Sequence, residues 1–197
     1  MVYEGDMILS RAEMPDRHLM VDIETLDTSV TAGILAVGAV VFNPRKEGFD
    51  EGDTFHITIS QESNKAQGRS VSAATLAWWA QQSQEARDSV FNGSSVSLGL
   101  GLGEFTRWVN KIQPTCTRIW AKSPDFDCSI LAHACNEQNI MWPFKFWEAR
   151  CCRTIMELAY PMGDFPVMAM DGPKHDALAD AKVQVLEVQH AYYVLGC

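Results

Sequence analysis

The amino-acid sequence predicts an α/β fold built on a mixed sheet, and three of its features carry that expectation. Near the start come three segments rich in β-branched and aromatic residues, separated by short turn-prone stretches. Through the middle, helical and strand-like patterns alternate, and the chain closes on one long helical pattern. Strands first, then alternating units, then a helix is the element order of an α/β sheet with mixed neighbours.

Residues 1–17 lack periodicity and read as a peripheral arm ahead of a single domain over 18–197. HLMVDIET (His18–Thr25), GILAVGAVVFN (Gly33–Asn43) and DTFHITIS (Asp53–Ser60) are the three early strands, and their close spacing favours antiparallel pairing. QESNKAQGRS (61–70) reads as a polar loop. SAATLAWWAQQSQEARDSV (72–90) reads as one helix with Leu76, Trp79, Ala80 and Ser83 along a face. The glycines of SSVSLGLGLG (94–103) have no phosphate-loop lysine after them and suggest a linker, followed by a helix over EFTRWVNKI (104–112). TRIWAK (Thr117–Lys122) is a fourth strand, and a helix from Pro124 to about Asn139 follows with Ser123 as its N-cap. EARCCR (148–153) is a fifth strand, TIMELAY (154–160) a short helix and Pro161–Lys174 a loop. The last helix runs from about Asp176 to Val194.

A chain of 197 residues that is 47% apolar can bury one substantial core. It has no apolar run near the roughly 18–20 residues of a membrane span, and its first twenty residues mix acids and bases rather than forming a signal peptide. A soluble, cytoplasmic protein with no membrane partner is expected. The six cysteines contain no C-x-x-C pair and read as structural thiols of a reducing compartment. A net charge of −9 argues against a protein that coats duplex DNA, whose affinity comes largely from neutralised phosphates. A polyanionic substrate would need bound cations and a short footprint.

Three elements carry chemistry. Asp22 and Glu24 stand at i and i+2 of a strand, so both project to one face amid apolar neighbours, and burying like charges together asks for a cation. Asp127 falls in the first turn after the fourth strand, where ligands of α/β sheets gather, with Asp125 as a competitor for the position. His175 and Asp180 lie five residues apart, roughly 140° on a helix, so the histidine belongs to the loop and the aspartate to the helix that follows. Each has a plainer explanation alone: an exposed strand edge, a charge at a helix N-terminus, a capping loop. Trp78 and Trp79 point about 100° apart on a helix, so at most one faces the core and the other is free to stack on a base. Phe55 and Trp120 read as core, and His133 as a structural histidine. Arg153 is placed between an internal salt bridge and a phosphate contact, while His18, His56 and His190 have no recognisable partner in the sequence.

Taken jointly, VDIETL, FDCSILAHA and KHDALADAKVQ resemble the histidine subtype of the DEDD (DnaQ-like) 3′-to-5′ exonuclease superfamily. AATLAWWAQQSQEAR and FKFWEARCCRT further resemble the phage exonuclease A and exonuclease VIII-like group, and the likeness spans about residues 18–190. The resemblance implies a ribonuclease H-like fold, a mixed five-stranded sheet with helices on both faces. It implies Asp22, Glu24, Asp127 and Asp180 as ligands of two Mg²⁺ or Mn²⁺ ions, His175 as general base, and Thr25 and Leu26 as contacts to the terminal nucleotide, and it selects Asp127 over Asp125. The implied activity is release of nucleoside 5′-monophosphates from single-stranded 3′ ends, DNA slightly favoured. RNA ends, short oligoribonucleotides or dinucleotide caps are the alternative, and a catalytically silent binding module is a third reading. Homodimerisation is common among such proteins, and a phage origin would place this one in the host cytoplasm. AKSPDFD departs from the group, which often carries small or amide residues at Lys122, Ser123 and Pro124.

Overall fold

The computed structural model describes residues 16–112, 116–168 and 174–197. Strands β1 (Arg17–Thr25), β2 (Ile34–Phe42) and β3 (Phe49–Thr58) form an antiparallel meander, with Asp22 opposite Gly38 and Val40 opposite Thr54. Short connections dictate that pairing, since parallel neighbours need a crossover. β4 (Cys116–Ala121) and β5 (Ala149–Cys151) add in parallel beyond β1, giving the order β3-β2-β1-β4-β5. The mixed five-stranded sheet expected from the sequence is present.

Seven α-helices flank it among the described residues: α1 (Gln61–Ala66), α2 (Ala73–Trp79), α3 (Gln84–Phe91), α4 (Leu98–Ile112), α5 (Asp127–Glu137), α6 (Cys152–Ala159) and α7 (Ala177–Leu195). Alternation along β1 divides the core. Leu19, Val21 and Ile23 pack under α4 and α5, against Leu102, Phe105, Ile130 and Leu131. Met20, with Val40 and Trp120, packs under α6 and α7, against Cys152, Ala181, Val185 and Val188. Asp22 and Glu24 share the parity of Met20, which turns both toward α7. A third cluster, Trp79 and Val90 with Leu26, Leu35 and Ala177, joins α2 and α3 to the point where β1 ends and α7 begins. No described helix is long and apolar enough to cross a membrane.

Several boundaries differ from the sequence expectation. Arg17, assigned to the arm, opens β1, while residues 1–15 of the arm and 169–173 of the last loop lie outside the described residues. The 61–70 segment is not all loop, because Ser60 Oγ accepts the Ser63 N–H and starts α1. The helix expected over 72–90 is two, since Ser83 caps α3 and leaves a turn after Trp79; of the predicted face only Trp79 is buried. The glycine-rich stretch is no linker but the first turns of α4. Gly101 lies against Ile59, where a Cβ would come within 2.9 Å of a side-chain carbon, so helix and strand pack closer than alanine allows. Ser123 is not the side-chain cap of α5, which begins only at Asp127; its hydroxyl accepts from Arg153 instead. The fifth strand has three residues rather than six.

All six cysteines are free thiols, and burial pushes Cys116 and Cys135 up to about 12. Trp120 is core, and its indole N–H donates to His18 Nδ1 at 2.8 Å. Burial lowers His18 to about 4, opposed by Asp16. His133 is bound by Arg69 at 2.9 Å, a structural role.

Candidate active site

The β1–β4 ladder has its last pair at Met20 and Trp120. Beyond it, the Ile23 N–H donates to Asp127 Oδ1 at 3.2 Å. Asp127 is thereby drawn into the gap between the strands from the first position of α5, and it is buried, whereas Asp125 is exposed. Of the two aspartates, Asp127 is the one that lies beside the end of β1.

The N-terminus of α7 supplies the next group. Asp176 caps it, accepting from the N–H groups of Leu178 and Ala179 at 3.1 and 3.0 Å. One turn on, Asp180 Oδ2 accepts the His175 N–H at 3.2 Å, which ties the loop residue to the helix and accounts for the five-residue spacing. His175 has φ of 64°, a left-handed conformation uncommon for a side chain other than glycine. Its ring sits edge-on to Trp78 and Trp79, with centroids 4.8 and 6.4 Å away, so the imidazole is held in place on two sides. Gly38, across from Asp22, lets this junction approach: a Cβ there would lie 2.2 Å from the Ala177 carbonyl carbon.

These elements bring the five sequence-predicted residues together. Donor atoms of Glu24, His175 and Asp180 all lie within 4.8 Å of one another. Asp22, Asp127 and Asp180 line an adjoining cavity of about 480 Å³. Among the described residues, none of the four carboxylates is ion-paired with lysine or arginine. Burial pushes Glu24 up to about 8, helped by the charges of Asp180, Asp176 and Asp127. Burial also raises Asp127 to about 7, against its backbone N–H bonds and Arg153. Asp22 is driven well up by burial and then by Asp127 and Glu24, and Asp180 is raised by burial against His175. Carboxylates crowded in this way resist ionising together unless a cation joins them.

Gln184 escaped the sequence reading. It stands four residues after Asp180, hence on the same helical face, and that spacing was the available signal. Its Nε2 donates to Asp22 Oδ1 at 2.7 Å, while its Oε1 is buried with no hydrogen-bond partner. Four hard carboxylates beside an orphaned amide oxygen fit Mg²⁺ or Mn²⁺ better than zinc.

A second cavity, of about 450 Å³, opens on the Glu24 side and shares Ile23 and Phe126 with the first. Of the residues expected to touch substrate, Thr25 and Trp78 line it, and Trp78 keeps 41% of its surface exposed. Trp79 also reaches it but is only 2% exposed, and its indole N–H donates to the Thr25 carbonyl at 2.9 Å, so it is a supporting wall. Leu26 does not reach it. Its side chain is buried with Leu35 and Trp79, and its N–H and carbonyl are taken by Gly33 and Ser72.

Residues 17–192 match the model of the 3′-5′ exoribonuclease Rv2179c-like domain. An exodeoxyribonuclease of Enterobacteria phage T4 is 26% identical over 204 residues, covering 90% of each chain. The nuclease domain of 3′hExo, a DEDDh family member bound to rAMP, superposes with a TM-score of 0.58 at 16% identity, over 92% of this chain and 94% of that one. Pop2p of S. pombe, in its Mg²⁺- and Mn²⁺-bound form, gives 0.58 at 10% identity over 88% and 82%. The fold is that of the ribonuclease H-like exonucleases, and the match across nearly the whole described chain places this protein in the Rv2179c-like family of DnaQ-like 3′-5′ exonucleases.

Proposed function

We propose that this exonuclease removes nucleoside 5′-monophosphates one at a time from single-stranded 3′ ends, using a two-ion site of Mg²⁺ or Mn²⁺ held by Asp22, Glu24, Asp127 and Asp180. The observation that carries the reading is the meeting of Glu24, Asp180 and His175 beside Asp22 and Asp127, with none of the four carboxylates ion-paired to lysine or arginine among the described residues. When bound, the ions would polarise the phosphodiester and ease the ionisation of water. Trp78 and Thr25 hold the terminal nucleoside in the cavity on the Glu24 side, which orients its 5′ phosphate toward the carboxylates. His175, with its backbone N–H fixed by Asp180 and its ring against two tryptophans, takes the proton of the attacking water at an imidazole nitrogen. Water adds in line to phosphorus, the bond to the upstream 3′ oxygen breaks, and the monophosphate leaves.

Single-stranded DNA is the favoured substrate, supported by the likeness to a phage exodeoxyribonuclease over nine tenths of both chains. RNA is the second reading, supported by the family description as an exoribonuclease domain. The test is digestion of 5′-labelled single strands and duplexes of DNA and RNA with Mg²⁺ or Mn²⁺. A 3′-to-5′ ladder abolished by EDTA and by Asp22→Asn is expected, and the ratio of DNA to RNA turnover decides between the two readings. His175→Ala should lower kcat by about 100-fold or more while calorimetry finds Mn²⁺ affinity nearly unchanged. Equal loss of both would make His175 a ligand rather than a base.

A further inference from the structure

We propose that Arg153 receives the phosphate immediately upstream of the scissile one, and that the groove beyond it takes the third nucleoside from the 3′ end. This rests on the exonuclease reading, in which the terminal nucleoside occupies the Trp78 cavity and its 5′ phosphate lies at the carboxylates.

The two cavities flank the carboxylates and share Ile23 and Phe126, so they adjoin and offer a continuous course to a chain that enters one of them. The side opposite Trp78 is bounded by Arg153, at the second position of α6, and by Lys122. These two cations differ in kind. Both oxygens of Glu187 accept from Lys122 Nζ at 2.8 Å, which spends its charge. Arg153 has no acidic partner among the described residues. It is exposed, and its Nη1 donates to Ser123 Oγ at 2.7 Å, which aims the planar group while leaving its other N–H donors for a ligand. Its charge reaches Asp127, placing it beside the reacting centre without touching a carboxylate. An unpaired guanidinium at the edge of an acidic cavity is suited to a phosphate diester, which it can grip with two N–H groups.

The space continues past Arg153 into a groove of about 390 Å³ lined by Met156, Phe165, Pro166 and Met168, with Glu157 and the Lys122-paired Glu187 also on its wall. Phe165 is 39% exposed and edge-on to Tyr160 at 5.8 Å, a supported ring open on one side for a base. Stacking of this kind tolerates any base, as a nuclease that reads no sequence requires. The departure at Lys122–Ser123–Pro124 noted in the sequence thus acquires a purpose, because Ser123 orients the arginine.

The test compares the p-nitrophenyl ester of thymidine 5′-monophosphate, which has the scissile diester but no upstream phosphate, with a single-stranded tetranucleotide. Arg153→Gln should lower the ratio of kcat/KM on the tetranucleotide to that on the ester by about 10-fold or more, and Arg153→Lys should recover part of it. A neutral methylphosphonate at the upstream linkage should impose a similar loss on the wild type and little on Arg153→Gln, with melting temperatures unchanged. A ratio that does not move, or a methylphosphonate penalty equal in both proteins, overturns the proposal. A wild type that cuts neither substrate would overturn the exonuclease reading and this inference with it.

Discussion

Glu24 and Asp127 hold their protons above the usual carboxylate range, at about 8 and about 7, against ordinary values of 4.5 and 3.8. A raised folded value means that the native state binds the proton more tightly than the unfolded chain. That contribution to stability is complete below the ordinary values and drains away as pH rises through the folded ones. The metal-free protein should therefore melt at progressively lower temperature between about pH 4.5 and pH 8, and Mn²⁺ at pH 8 should reverse the loss. Differential scanning calorimetry in EDTA and in Mn²⁺ checks both; a melting temperature that climbs over that range would contradict the crowding of carboxylates. At this scale the sequence was most legible where function is written in short spacings. The side-by-side placing of Asp22 and Glu24 and the loop-to-helix step from His175 to Asp180 followed from the geometry of a strand and a helix start, while their joint role came from the family resemblance. The partner of Gln184 was not legible, because the spacing from Asp180 gives its helical face while its contact with Asp22 is decided by a strand distant in sequence.

Among the helices, α2 shows most directly how one segment serves both fold and site. Its two tryptophans are edge-on to each other with centroids 5.0 Å apart, yet Trp79 is buried with its N–H on the Thr25 carbonyl while Trp78 stays exposed in the cavity. Trp79→Ala should cost about 3–5 kcal/mol, read as a lower denaturation midpoint. Trp78→Ala should leave the midpoint nearly unchanged and raise KM several-fold, which steady-state kinetics on an oligonucleotide would show. The reverse pattern would mean that Trp78, not Trp79, supports β1. Elements misread from sequence were those whose composition argues against their structure. A glycine-rich stretch became α4 because Gly101 must sit against Ile59 and Leu98, Leu102 and Phe105 fill the core behind it. The segment over 72–90 broke in two because a capping serine outweighed continuous periodicity, which pattern counting does not register.

For the molecule as a whole, an acidic chain that works on an acidic polymer has to confine its grip. With a net charge of −9, and with Arg153 as the cation of the carboxylate cavity left without an acidic partner among the described residues, few phosphates can be neutralised. Log KM on single-stranded DNA plotted against log salt should accordingly rise with a slope of about 1 or less, at fixed Mn²⁺, where each phosphate contact to a single strand contributes about 0.7. A slope of three or more would reveal a broad basic footprint and sink this picture. The antiparallel pairing of the first three strands was legible in their short connections, and the five-stranded sheet with helices on both faces came with the family resemblance, which is why the global architecture was read more accurately than several of its boundaries. One detail of that architecture reaches into the history of the family. Because Asp127 closes the parting of β1 and β4 by accepting the Ile23 N–H, its removal would strand a buried donor at a cost of about 1–3 kcal/mol, besides any effect on turnover. A descendant that abandoned catalysis would be expected to keep the aspartate at 127, so that this one acid could outlive the activity it once served.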